Sequence, residues 1–367
     1  MTNPRWKTAR NILCVRLDTL GDVLMTTPAI RALRESVTAA RITLLTSPAG
    51  AEAGRLAPEI DEVRVYECPW MKATPPRLDA RHDLAEIEWL RSRGFDAAVI
   101  FTVFSQNPLA AAFVCYLADI PLRLAHCREN PYQLLTDWVP ELEPHQLLRH
   151  EVRRQLDLVE TVGCRTDDTR LSIGIPAEIR RRAARRLLRA GIRPETPLVV
   201  VHPGASAASR RYPATGFGIA VRELVERHNL QIVLTGGSHE AELIDEVRRH
   251  AGLACCSLAG KLNLAELAAV LERADVLLSN NTGPVHVAAA VGTPVVDLYA
   301  LTNPQHTPWQ VPHRVLSHDV PCKYCYKSVC PQEHGHCLSL IPPTAVVDAL
   351  IELLEDPAHE IVTSQFL

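Results

Sequence analysis

The stretch "ADVLLSNNTGPVHVAAAVGTPVVDLYA", residues 274–300, carries the pattern that decides the fold. An apolar run reads as a buried strand, a polar and glycine-containing turn follows, alanines and valines continue at helical spacing, and a second apolar run begins at Thr293–Pro294. Strand, helix and strand in that order make the βαβ unit of a parallel sheet. Within it, Asn281, Thr282 and Gly283 stand ahead of a helix with Pro284 at an early position, which is the composition of an anion-binding helix terminus. His286, further along, equally suits an interior histidine.

The same alternation extends outward in both directions. "NILCVRL" (11–17), "RITLLT", "DEVRVYE" and "DAAVIF" read as strands of a first series, with a helical pattern from about Asp22 that Pro28 should kink or break and a helix around Leu84–Arg93. "PLVVVHPG", "QIVLTGG", "ADVLLSNN" and "TPVVDLYA" form a second series. Two such series predict two doubly wound α/β domains, joined within "LSIGIPAE", residues 171–178, where Gly and Pro precede a new basic helix. A chain of 367 residues accommodates two domains of ordinary size. Residues 1–172 and 173–342 are the expected domains, followed by a C-terminal segment, 343–367.

Composition narrows the function classes. An apolar fraction of 47% and a charged fraction of 22% belong to a globular chain, and a net charge of −3 gives no electrostatic reason to expect nucleic acid. The basic runs "RHEVRRQ" and "EIRRRAARRLLRAG" read as solvated helix faces. Neither a targeting segment nor an apolar run of membrane-spanning length is visible, so the expected location is cytoplasmic. That location disfavours disulfides among the eleven cysteines. Cys322, Cys325, Cys330 and Cys337 are spaced closely enough for tetrahedral thiolate binding of a structural zinc or iron, with His334 or His336 able to replace one thiolate; reduced thiols are the alternative.

Ligand crevices of doubly wound sheets lie at the carboxyl ends of the strands, so the strand-to-helix turns carry the candidates. In "RLDTLGDVLMTTPAI", Asp22 stands where strand gives way to helix and is either a helix-start acid or a catalytic carboxylate. In "VHPGASAASRRYPATGF", small residues and Arg210–Arg211 suit a phosphate. "TGGSHEAEL" offers Glu240 as an acceptor for ribose hydroxyls. No G-x-G-x-x-G follows the first strand, which disfavours a dinucleotide oxidoreductase.

Taken together, "GDVLMTTPAIRALR", "HPG…RRYP", "TGG…E", "NNTGPVHVAAAVGTPVV" and "LTNPQHTPW" resemble glycosyltransferase family 9, the heptosyltransferases of lipopolysaccharide core synthesis. The resemblance spans nearly the whole chain. It implies a GT-B fold, two Rossmann-like domains facing a central cleft, with the acceptor held by the first and an ADP-sugar, usually ADP-heptose, by the second. It also implies a final helix, about Pro343–Leu354, that returns to the first domain. Residue by residue, it makes Asp22 the general base, Arg210 a donor-phosphate ligand, Glu240 the ribose acid and Leu262 part of the adenine pocket. Asn281 replaces the acid of the family's usual Asp-Thr-Gly and, with Thr282 and Gly283, faces the donor pyrophosphate. No catalytic metal is implied. A lipopolysaccharide-core, other glycan or protein acceptor is compatible, as is peripheral association with the inner face of the membrane. A nucleotide-sugar epimerase of the same shape and a metal-cluster interaction protein are the rival classes. Oligomeric state is not legible.

Overall fold

Each half of the chain builds its own parallel sheet. The computed structural model describes residues 4–37, 39–72, 74–300 and 302–355. The chain divides into two units, one running to Ser172 and the other from Ile173. In the first, β1 (Asn11–Arg16), β2 (Arg41–Thr46), β3 (Glu62–Val65), β4 (Ala97–Ile100), β5 (Leu122–Cys127) and β6 (Asp137–Pro140) pair in the order β3-β2-β1-β4-β5-β6. Helices α1 (Leu20–Ser36), α2 (Ala51–Leu56), α3 (Arg81–Arg93), α4 (Leu109–Leu117) and α5 (Glu151–Glu160) complete the unit.

The second unit opens with α6 (Ala177–Arg189) and repeats the plan with β7 (Leu198–His202), β8 (Gln231–Leu234), β9 (Cys256–Ser257), β10 (Val276–Asn280), β11 (Val295–Leu298) and β12 (His313–Leu316), ordered β12-β11-β10-β7-β8-β9. Its further helices are α7 (Ala214–His228), α8 (Ala241–Ala251), α9 (Leu264–Leu271), α10 (Gly283–Val291), α11 (His336–Ser339) and α12 (Pro343–Glu355). Every pairing in both sheets is parallel. The doubly wound class read from the sequence is therefore the class the protein has.

The central strands β7 and β10 are buried along their whole length, and β1 is buried after Asn11, because helices cover both faces, which is why they read as apolar runs. Each buried Val, Leu or Ile contributes roughly 1.5–3 kcal/mol. In both sheets the strand order reverses beside the first strand, between β1 and β4 and between β7 and β10. These switch points are where such sheets open a ligand crevice.

Three expectations change. Pro28 does not end α1, which runs through it to Ser36. The carbonyl that Pro28 cannot reach, Leu24 O, accepts the Thr27 hydroxyl at 2.7 Å. The first basic run is not a solvated face, since Arg154 is fully buried and pairs with Glu141 and Glu143, and Arg149 pairs with Glu143 and Asp157. Finally, α12 does not spend its apolar face on the first unit, because Val346, Val347, Leu350 and Leu353 belong to the core of the second. The remainder of the expected C-terminal segment, 356–367, and Leu301 at the head of "LTNPQHTPW" lie outside the described residues.

Candidate active site

In the first unit the chain leaves β1 through Leu17 and Asp18 and enters α1 with Thr19 as N-cap. Asp22 occupies the third helical position. Its Oδ2 accepts the Thr19 backbone N–H at 3.0 Å and the Thr19 hydroxyl at 2.6 Å, so it does cap the helix. Its Oδ1 does something else, accepting Nη2 of Arg16 at 3.1 Å.

Arg16 is completely buried at the end of β1 and serves three acids. Its Nε meets Asp18 Oδ2 at 3.0 Å, its Nη2 meets Asp22 and its Nη1 meets Glu151 Oε1 at 2.9 Å. Glu151 begins α5, where the helix dipole favours an acid, and also accepts the Gln155 amide at 2.7 Å. Burial works against the Arg16 charge, but Asp18, Glu151 and Asp22 outweigh it and hold the guanidinium charged. Burial pushes the Asp18 carboxyl up to about 6, against the pull of Arg16 and with the help of the Asp22 charge.

A cavity of about 600 Å³ opens at this switch point, at the carboxyl ends of β1 and β4. Asp18, Trp70, Lys72, Phe101, Gln106 and Asn107 are among its lining residues, and the Gln106 amide donates to Asp18 Oδ1. Trp70 packs edge-on against Tyr66 with centroids 5.8 Å apart. Arg16, Asp18 and Glu151 were not singled out from the sequence. The available signal was a charged pair, Arg16 and Asp18, closing an otherwise apolar buried strand.

In the second unit, Glu240 and the turn after β7 come together. Glu240 is buried, and its Oε2 accepts the Gly237 N–H at 2.7 Å. A Cβ at Gly204 would fall 1.9 Å from Glu240 Oε1, so a larger residue in the "HPG" turn would displace the carboxylate from its place. His202 closes the group, with Nδ1 at 3.1 Å from the Thr235 hydroxyl and Nε2 at 3.8 Å from Glu240. Burial pushes His202 down to about 4, opposed by the Glu240 charge. Leu262 is half-buried in the loop before α9, and Gly260 of that loop donates to Gly236 O at 2.9 Å. The Leu262 loop and the Glu240 turn are thus neighbours.

Asn280, whose role the sequence did not disclose, fastens the arginine loop. Its amide donates to Pro203 O at 2.7 Å and its carbonyl accepts Tyr212 N–H at 2.9 Å. Arg211 is turned back onto Ala205 O, whereas the Nε of half-buried Arg210 has no hydrogen-bond partner among the described residues. Thr282 caps α10 in extended conformation without a side-chain capping bond, and Gly283 and Pro284 follow as the first helical residues. His286 is buried, as an interior histidine would be.

Asn281 has an unforeseen partner. Its amide donates to Asp297 Oδ2 at 2.8 Å and to His306 O at 2.9 Å. Asn281 is thus paired with a buried acid on the neighbouring strand, β11. Burial pushes Asp297 up to about 8, with the Asn281 bond acting in the opposite direction.

The four clustered cysteines do not form the expected metal centre. No group of three or more His, Cys, Asp or Glu side chains among the described residues is arranged to hold a metal ion. Cys337, the second residue of α11, packs half-buried against the second core, and His334 both meets Cys322 Sγ through Nε2 at 3.8 Å and stacks on His336. Cys330 is held below the usual thiol range by backbone N–H groups of its own loop, led by Gly335. Burial and the neighbouring Cys330, Cys322 and Cys325 thiols push the Cys337 thiol up.

The sequence profile of glycosyltransferase family 9 (heptosyltransferase) matches residues 85–336. The chain belongs to glycosyltransferase family 9. Among curated members of the family it is 26% identical over 299 residues to lipopolysaccharide heptosyltransferase 3 of Escherichia coli K12, covering 79% of this chain and 82% of that one. It is 30% identical over 111 residues to the lipopolysaccharide core heptosyltransferase OpsX of Haemophilus influenzae, covering 30% of this chain and 32% of OpsX. The match thus spans about a third of OpsX, and about half of the lipooligosaccharide heptosyltransferase 2 of Campylobacter jejuni. A family 9 glycosyltransferase from Veillonella parvula superposes with a TM-score of 0.77 at 22% identity, over 95% of this chain and 97% of that one. E. coli ADP-heptose lps heptosyltransferase II does so with 0.72 at 22% identity, over 94% and 99%. These likenesses make the architecture that of the family 9 GT-B structures.

Proposed function

We propose that this family 9 protein is an inverting glycosyltransferase that moves heptose from ADP-heptose to a hydroxyl of a lipopolysaccharide-core acceptor. The second unit binds the donor and the first the acceptor. The observation that carries the reading is the presence of two unlike groups on the turns after the adjacent strands β7 and β8: Glu240, braced over Gly204 as a hydroxyl acceptor, and Arg210, whose buried Nε has no hydrogen-bond partner among the described residues. A nucleoside diphosphate needs both, an acid for the ribose and a cation for the phosphates. The names of the relatives, lipopolysaccharide heptosyltransferase 3 and ADP-heptose lps heptosyltransferase II, supply the sugar and the acceptor class.

The chemistry follows from what a sugar hydroxyl lacks. Asp22 takes its proton as the acceptor oxygen bonds to the anomeric carbon, and the bond from that carbon to the pyrophosphate breaks. ADP leaves as an anion, stabilised by Arg210 and by the N–H groups at the start of α10, where Thr282 and Gly283 stand. Leu262 lines the base pocket, and no divalent ion takes part. An anionic Asp22 also favours the oxocarbenium character of the transition state.

Calorimetric titration with ADP-, GDP- and UDP-sugars in excess chelator tests this reading. An ADP-sugar is expected to bind best, with Arg210→Ala and Glu240→Gln each weakening it tenfold or more. Preference for another nucleotide would remove the donor assignment, and loss of binding on chelation would remove the metal-independent mechanism.

A further inference from the structure

Two acids, not one, close strand β1. Asp18 and Asp22 share the Arg16 guanidinium, yet their surroundings differ. Asp22 spends Oδ2 on the helix cap, whereas Asp18 is the carboxylate on the wall of the 600 Å³ cavity. That wall also carries an aromatic ring, Trp70, two amides, Gln106 and Asn107, and a lysine, Lys72. An aromatic face with a few amide and charged groups around it is the chemistry that receives a sugar ring and its hydroxyls.

We propose that Asp18 is a second acceptor-binding acid, which accepts a hydrogen bond from a saccharide hydroxyl adjacent to the reacting one while Arg16 couples its charge to that of Asp22. This rests on the reading of Asp22 as base and of the first unit as the acceptor's. Charge balance gives the coupling its sense. One guanidinium faces three carboxylates, so the cluster carries a net charge of −2 when all are ionised, and a proton is most readily taken where the cavity begins. The groups facing Asp18 are Arg16 on β1, Asp22 at the start of α1, Glu151 on α5 through Arg16, and Gln106 ahead of α4. Lys72 shares the cavity wall, and the buried Cys68 thiol, pushed up to about 12, stays neutral. Removing the Asp18 charge leaves Arg16 to Asp22 and Glu151, so Asp22 should give up its proton at lower pH.

The test is the pH profile of kcat/KM for Asp18→Asn with ADP-heptose and a lipopolysaccharide acceptor truncated within its core. Acceptor KM should rise tenfold or more, donor KM should stay within threefold, and the acid limb should move to lower pH. Gln106→Met, which removes from outside the arginine cluster a hydrogen bond that favours ionised Asp18, should raise the Asp18 midpoint and keeps the test available if Asp18→Asn folds poorly. Independently of any acceptor, the carboxyl ¹³C resonance of Asp18 should titrate near pH 6, and that of Asp22 should shift down in Asp18→Asn. Unchanged acceptor KM with an unmoved acid limb overturns the proposal, as does an Asp18 midpoint near 4. If Asp22→Asn is inactive while Asp18→Asn behaves as the unaltered protein, only this inference falls. If Asp22→Asn is active and Asp18→Asn is not, both readings fall and the base is Asp18.

Discussion

Asp22 shows how one side chain holds two offices. It caps α1 through Thr19 and touches Arg16 through its other oxygen, so the proposed role as base stands beside a structural one. Substitution separates them. Asn keeps an oxygen for the Thr19 N–H and hydroxyl but cannot take a proton, and Arg16 retains Asp18 and Glu151 as partners. Asp22→Asn should therefore remain folded and bind donor normally while kcat falls by roughly 10²–10⁴. Steady-state rates beside donor titration decide it, and near-normal turnover would leave Asp22 only its cap. The Asn281–Asp297 pair allows a second test at this scale. Asn281→Asp sets two carboxyls against each other across a 2.8 Å contact and should weaken donor binding tenfold or more. Adding Asp297→Asn restores an acid–amide pair in reversed order and should recover affinity to within threefold. A double variant as weak as the single one would show that the identity of the acid, rather than the pairing, matters.

Elements were legible where one face of their chemistry was uniform. The all-apolar runs of β1, β4, β7 and β10 announced themselves, whereas β5 was missed because Arg123 and His126 interrupt it. Arg123 survives there because backbone carbonyls of Ile120, Gln133 and Leu134 take its donors, a solution invisible in the sequence. The run at the start of α5 misled for the same reason: a buried arginine and a solvated one are the same letter, and only Glu141 and Glu143 distinguish Arg154. Candidate acids and Arg210 were readable as residues in turns. Arg16's partner Glu151 was not, since 135 positions separate them. In the cysteine loop the spacing was readable and the geometry was not. Because no metal-ligating group is assembled there among the described residues, purified protein should hold well under one equivalent of zinc or iron per chain, and chelator should leave its melting temperature unchanged. Elemental analysis with a thermal melt checks this; a stoichiometric metal whose removal unfolds the protein would reverse it.

At the scale of the whole molecule, buried titratable groups, among them Asp297, Asp18, His202 and His126, set how stability varies with pH. Asp297 and Asp18 have folded values raised to about 8 and about 6, so the stability they contribute is complete below the ordinary carboxylate range and is lost as pH rises through it to those values. His202 is depressed to about 4, so its contribution is lost as pH falls from the ordinary histidine range toward 4. The histidine and Asp18 oppose each other in mildly acid solution. Between about pH 6.5 and 8 Asp297 acts alone, and the chain should lose up to about 2 kcal/mol, roughly 5 °C in Tm. Asp297→Asn should flatten that slope. Melting curves at pH 6.5 and 8 for both proteins measure it, and equal slopes would show that Asp297 is ionised throughout. No helix among the described residues is long and apolar enough to cross a membrane.

The strand order of the two sheets has a consequence for the protein's birth. Every strand of the first sheet lies between residues 11 and 140, and none is borrowed from beyond Ser172. Even the helix expected to come back from the far end, α12, keeps its apolar face in the second core. A ribosome working at about 5–20 residues per second releases the first sheet complete while the second is still being made. The emerging half never has to wait, apolar edges open, for a strand that has not yet been translated.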